Sequence, residues 1–253
     1  SDCNCTSIKN QNNTGTCWSF ATSSFLESEL IRMGKTEYDL SEMFFVRQIY
    51  HDKAQNYLLR QGKAQFGQGG LSHDVIKAFV EGGAMPESVY SGKLPGDYMH
   101  DHTEMENALK GMLDALTKEK KLTPKWAEAV SGVMDAYMGK VPQQFTHEKK
   151  EYTPQSFAAS LGINPADYVT FTSYNHHPFY QSFVLEIPDN WSNGSYYNIP
   201  FDELVDITQA AISKGYSVAW DGDVSEKGFS ANKGIAILPS NEAREDKFEK
   251  PGE

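Results

Sequence analysis

The stretch Gln11-Asn12-Asn13-Thr14-Gly15-Thr16-Cys17-Trp18-Ser19-Phe20 carries the side chains of this 253-residue chain best placed to do chemistry. From Cys17 to Met33 the apolar residues Phe25, Leu26, Leu30, Ile31 and Met33 recur at helical spacing, and Gly34 follows as a stop. Cys17 therefore falls at a helix N-terminus, where unpaired N–H groups and the macrodipole favour negative charge. The thiolate is the nucleophilic form of cysteine, and such a position is expected to lower the thiol pKa. Gly15 allows a tight turn ahead of the helix. Gln11 lies six residues before the sulfur. Its amide can loop back and offer an N–H where a substrate carbonyl becomes an oxyanion, with the Cys17 backbone N–H as the second donor. Such a constellation suits covalent acyl transfer.

The elements that must hold these groups are legible around them. A second helix fits Ser41 as N-cap, Glu42 in the first turn, then Met43, Phe44, Val46, Ile49 and Tyr50. A glycine-rich break, Phe66-Gly67-Gln68-Gly69-Gly70, precedes a third helix from about Ser72 that stops at Gly82-Gly83. From Asp101 to Met138 the pattern predicts two amphipathic helices, peripheral in style, split near Leu122-Thr123-Pro124. The run Lys118-Glu119-Lys120-Lys121 reads as a solvated face. Helix signals end near Pro142, and a polar stretch leads to Thr153-Pro154. Strands are expected at Tyr168–Thr172, Ser182–Ile187 and Ser217–Trp220, with a helix from Asp202 to Lys214 before the last. Helices early and strands late define an α+β chain with segregated halves. The charged tail, Asn241 to Glu253, reads as a loop or a cut end.

Bulk properties narrow the classes of function. With 23 basic against 34 acidic residues the net charge is −11, which argues against a nucleic-acid partner. No run approaches the roughly 20 apolar residues of a membrane span, so no membrane partner is expected. All three cysteines lie in the first 17 residues. Cys3 and Cys5 read as terminal thiols without a catalytic part, since no later cysteine completes a zinc site.

The segment Gln11–Phe20 resembles the active-site segment of papain-like cysteine peptidases, in which Gln, five intervening residues and Cys-Trp-x-Phe recur. Thr14-Gly15-Thr16-Cys17-Trp18 departs from the C-G-[SA]-C-[WY] pattern by placing Thr14 where secreted members carry a disulfide-forming cysteine. In this it is more similar to the bleomycin hydrolase and aminopeptidase C branch. Three further stretches support that branch. Gln68-Gly69-Gly70 resembles the paired glycines of the substrate cleft, where bare backbone can hydrogen-bond an extended peptide. Asp39-Leu40-Ser41-Glu42 resembles the opening of the second helix. Tyr216-Ser217-Val218-Ala219-Trp220-Asp221-Gly222-Asp223-Val224 resembles the strand bordering the pocket for the second residue before the cut.

The resemblance implies a two-lobed fold, a helical lobe plus an antiparallel β lobe. Residues 1–94 would form the helical lobe with the nucleophile, 95–153 a helical insertion, and 154–253 the start of the β lobe. It implies a cysteine peptidase, by branch an aminopeptidase, acting on peptide substrates without metal or cofactor. Cys17 and Gln11 would be catalytic; Gly69, Gly70, Leu71 and Ala219 would line the cleft. It also implies a cytoplasmic protein, with an exported or periplasmic one as the alternative, and allows a homo-oligomer.

Papain-type sites need a histidine to take the thiol proton and an asparagine to orient it, both after the strand matched by Ser217–Trp220. After Trp220 this chain has 33 residues and none is histidine, and Asn-Ser-Trp is absent throughout. His147 lies 130 residues after Cys17, inside the family's spacing of about 130–150, but in a charged segment that the insertion displaces. His147 and the pair His176-His177, like His51, His73, His100 and His102, read as solvent-facing or capping residues. The simplest expectation is a chain that stops before its base, paired with a C-terminal segment or second chain carrying histidine and asparagine. A catalytically silent peptide-binding relative, or a scaffold in which Cys17 is merely buried, are the alternatives.

Overall fold

The computed structural model describes residues 4–222 and 228–237. Its first half is built from helices whose ends obey local chemistry. Helix α1 spans Cys17–Arg32 and gives way to Gly34 at φ 77°. Helix α2 spans Glu42–Leu59, and its N-cap Ser41 accepts a hydrogen bond from the Phe44 N–H at 3.0 Å, as the sequence predicts. Helix α3, Ser72–Gly82, ends on Gly83 at φ 87°. Helices α4, Thr103–Leu116, and α5, Lys125–Met138, are separated by the exposed run Lys118–Lys121.

One apolar core runs through all five helices. Leu26 and Leu30 of α1, Phe45 and Ile49 of α2 and Val75 of α3 pack with Leu109 and Leu113 of α4 and Val130 of α5. The pair α4–α5 is therefore not peripheral. Its apolar stripes are fully buried against α2, and only its opposite face is solvated. Arg47 of α2 secures it by pairing with Asp135 and donating to the Gly139 carbonyl at 3.1 Å.

The chain ahead of α1 is held by a buried carboxylate. Glu27 accepts from Thr6 Oγ1, from Lys9 Nζ at 2.8 Å and from the Leu40 N–H at 2.7 Å. Lys9 also pairs with Asp39 and Glu42. Burial pushes the Glu42 carboxyl up to about 7 against the pull of Lys9. It pushes Glu87 up to about 8, helped by Glu42 and Asp39.

The second half departs from expectation in detail. A hairpin of β1, Phe145–His147, and β2, Lys150–Tyr152, turns through Glu148 and Lys149 at φ 48° and 65°. A turn with two positive φ values normally takes Asn-Gly, so the sequence carried no hairpin signal. Thr153-Pro154 opens helix α6, Pro154–Leu161, as N-cap and first helical residue. Strands β3, Phe171–Thr172, β4, Gln181–Val184, and β5, Ser195–Asn198, form a sheet in the order β3–β5–β4. The pair β4–β5 is antiparallel and β3–β5 parallel. Helix α7, Phe201–Ser213, follows, then a short ladder of β6, Phe229–Ser230, and β7, Ile235–Ala236.

The strand expected at Ser217–Trp220 is not formed among the described residues. The segment keeps a strand's alternation, with Tyr216, Val218 and Trp220 exposed and Ser217 and Ala219 half-buried, but it has no ladder partner there. The tail expected from Asn241, together with Asp223 and Val224, lies outside the described residues.

Carboxyls raised by burial favour folding while protonated, and that contribution fades as pH climbs from about 4.5 through 7 to 8. Buried His100 and His102, pushed down to about 4, oppose this only below pH 6.5, and Lys53, pushed down to about 8, only above pH 8. The melting temperature should therefore fall between pH 6.5 and 8, and Glu87→Gln should flatten the slope. A melting temperature that rises across that window would contradict it.

Candidate active site

Cys17 is the first residue of α1, follows N-cap Thr16 and is exposed. The backbone N–H groups of Cys17 and Trp18 both bond toward its sulfur and favour the thiolate. The lowering of the thiol pKa expected from sequence is offset here, because the thiol, though it reaches the surface, is partly desolvated. Desolvation raises it most, the carboxylates of Asp221 and Asp189 add to the rise, and the helix amides do not compensate.

The turn ahead of the helix is fixed at both ends. Gln11 Nε2 donates to the Thr14 carbonyl at 2.7 Å, and Thr14 Oγ1 donates back to the Gln11 carbonyl at 2.9 Å. The Asn13 N–H donates to the His100 carbonyl at 3.0 Å, and the His100 N–H to Asn12 Oδ1 at 3.1 Å. Asn13 and Asp101 form a bridge. The lead-in to α4 thus steadies the Gln11 turn. In this arrangement the Gln11 amide is spent on Thr14 and must swing off it to reach an oxyanion.

The glycine pair is brought directly against the nucleophile's helix. Trp18 Nε1 donates to the Gln68 carbonyl at 2.9 Å, and the Gly15 N–H donates to Gln68 Oε1 at 2.8 Å. Gln68 Nε2 is held in turn by Glu106 of α4 at 2.6 Å. A Cβ on Gly70 would meet the Trp18 ring at 2.9 Å, and one on Gly69 would meet Asp189 Oδ1 at 2.5 Å. Gly70 requires glycine for the close approach of the Trp18 ring, whereas a side chain at Gly69 would displace the Asp189 carboxylate. Lys53, fully buried under this loop, donates to the carbonyls of Gly67 (3.0 Å) and Gly69. Of the other cleft residues, Leu71 is buried in a small second core with Leu185 and Tyr196. Ala219 lies half-buried in the extended segment that brings Asp221 to act on the thiol.

Sequence reasoning missed Asp74, Glu106 and Asp189, and quoted Gln68 and Asp221 in motifs without giving either a part in the site. Asp74 had a signal, since an acid in a helix's first turn is a capping position. The others are set by packing between distant segments.

The seven histidines are engaged elsewhere. His51 stacks on Trp126, His73 bonds Ser192 Oγ at 3.0 Å, and His147 packs on Phe157. His176 packs on Tyr174, and His177 stacks on Phe183. His100 and His102 are buried rather than solvent-facing, because the lead-in to α4 is pressed between α1 and α2. His100 meets Phe20, and His102 Nδ1 meets the Tyr50 hydroxyl at 3.0 Å. No helix among the described residues is long and apolar enough to cross a membrane.

A cysteine at a helix N-terminus behind a Gln-bearing turn and against a Gly-Gly loop is the arrangement of a papain-type peptidase. Residues 1–182 match the model of the papain family of cysteine proteases, and the chain belongs to that family. Among solved structures it is similar to PepW from Lactobacillus rhamnosis HN001 (DR20), with a TM-score of 0.63 at 18% identity. The match covers 85% of this chain and 58% of PepW, so the chain spans little more than half of that protein's length. No curated protein sequence matches.

With its pKa raised, Cys17 should react slowly with iodoacetamide at pH 7, and its rate should keep climbing beyond the pH at which an ordinary thiol levels off. Mass-resolved alkylation across pH 6–11 checks this. A rate at Cys17 already at its plateau by pH 7 would contradict it.

Proposed function

We propose that this chain is the nucleophile-bearing part of a cysteine peptidase that trims peptides from the amino end, in the manner of the bleomycin hydrolase and aminopeptidase C branch. The observation that carries the reading is the placement of Cys17. Its sulfur sits on the first amides of α1, between the Gln11 turn and the Gly69-Gly70 loop. In this reading the Cys17 thiolate attacks the scissile carbonyl carbon, and negative charge gathers on the carbonyl oxygen. The Cys17 N–H and the Gln11 amide, released from Thr14, stabilise that charge. The peptide lies along Gly69-Gly70, with Leu71 and Ala219 beside it.

Proton transfer requires a histidine, which we assign to a C-terminal segment or second chain that also brings the orienting asparagine. Support comes from α7, whose Phe201 and Val205 are exposed, and from Trp220 at 73% exposure. Phe201 and Val205 share one side of α7, and apolar surface left to water there is suited to packing by such a polypeptide. The raised thiol pKa favours one other reading, a peptide-binding relative without turnover.

Two outcomes test the proposal. In the full-length protein, Gln11→Ala should lower kcat on an aminoacyl amide by about 10–1000-fold with little change in melting temperature, because one of two oxyanion donors is lost. An unchanged kcat would make Gln11 a turn residue only. Residues 1–253 alone should show no turnover, since general acid–base catalysis worth about 10²–10⁴-fold is missing. Cleavage by that fragment, abolished by mutating His147, His176 or His177, would place the base inside this chain and overturn the assignment.

A further inference from the structure

The loop that follows β4 crosses to the helical half and sets a carboxylate against the Gly69-Gly70 loop. Its shape is set internally by Asn190, which is buried. Asn190 Nδ2 donates to the carbonyls of Leu185 and Gly194, both at 2.8 Å, and Asn190 Oδ1 accepts from the Gly194 N–H at 2.8 Å. Its position is set externally by Asp74, a residue of α3 with 0% exposure. One Asp74 carboxylate accepts from the Leu71 N–H at 3.0 Å, from Trp191 Nε1 at 3.0 Å and from Ser192 Oγ at 3.1 Å. The ammonium groups of Lys53 and Lys77 each lie 5.9 Å from the centre of the Trp191 ring. A loop braced in this way holds its side chains with little freedom.

Asp189 immediately precedes Asn190. Its carboxylate occupies the space a side chain would fill on Gly69, and Gln65 Nε2 donates to its Oδ1 at 3.1 Å. Lys53 lies beneath the same loop but spends its ammonium on the Gly67 and Gly69 carbonyls. The carboxylate therefore lies against the Gly69-Gly70 edge that an extended peptide would follow. After burial, the charges of Asp221 and Asp189 both act to raise the Cys17 thiol, in keeping with that placement.

We propose that Asp189 is the specificity-determining residue of this cleft and selects substrates that present a protonated amine or guanidinium beside the scissile bond. The inference rests on Cys17 being the nucleophile. A cation there forms a charge-assisted hydrogen bond with the free face of the carboxylate and offsets the field that disfavours the thiolate. The cation has two possible sources, the α-ammonium of the peptide or a basic side chain.

The test compares full-length protein with its Asp189→Asn variant on four coumarylamide substrates: leucyl, N-acetyl-leucyl, arginyl and N-acetyl-arginyl. Asp189→Asn should lower kcat/KM by about 10–100-fold for substrates carrying the recognised cation and leave N-acetyl-leucyl within about twofold. Loss on leucyl but not on N-acetyl-arginyl assigns the α-ammonium; loss on N-acetyl-arginyl assigns the side chain. Asp189→Glu should restore part of the discrimination. Independently of turnover, Asp189→Asn should speed alkylation of Cys17 at pH 7.5. Equal loss on all four substrates, or no loss on any, overturns the proposal while Cys17 remains the nucleophile. If Cys17→Ala leaves turnover intact, the peptidase assignment itself fails.

Discussion

The carboxylate of Asp74 is the constraint on which the two halves of the structure depend. Out of contact with water, it has to find donors for its lone pairs, because an unmatched buried charge costs several kcal/mol. It finds one in its own helix, the Leu71 N–H, and two in the distant loop at Trp191 and Ser192. One side chain thereby caps α3, terminates the Gly69-Gly70 loop and fixes the β-half loop across from Cys17. Gly70 must be glycine for the same reason, being pressed between Asp74 and the Trp18 ring.

The helical pair α4–α5 extends this logic. Besides sharing the core, it reaches the site twice. The backbone at His100 holds the Gln11 turn, and Glu106 holds Gln68, which bonds Gly15. The pair and its lead-in thus brace the Gln11 turn and the Gly69-Gly70 loop together. Its stability and the geometry around Cys17 are coupled through these few hydrogen bonds.

Electrostatically the site balances opposing influences. Helix amides draw the sulfur toward the thiolate, while desolvation and two aspartates push it back. A helix N-terminus is worth at most about 2 kcal/mol to a neighbouring charge, so it does not decide the balance alone. A nearby cation would reverse it, which is the physical reason papain-type chemistry pairs cysteine with an imidazolium. The acid-rich environment that hinders the free thiol is the same one suited to a positively charged substrate.

Much of this was written locally in the chain. Ser41 as a cap, Gly34 and Gly83 as stops, and the starts of α1, α2 and α3 follow from short-range backbone chemistry. So does Cys17 at a helix N-terminus, and the Gln11–Phe20 spacing carried the family. The hairpin at 145–152 was hidden because its turn adopts positive φ without glycine, and the strand expected at Ser217–Trp220 forms no ladder among the described residues because a strand exists only through a partner. The direction of the Cys17 pKa, the burial of His100 and His102, and the seat of Asp189 on Gly69 could not be read from sequence. Each depends on side chains tens of residues apart, whose fields and desolvation arise only once the chain has folded. The sequence by itself determined which residue could attack; the tertiary structure decided what charge that residue would feel.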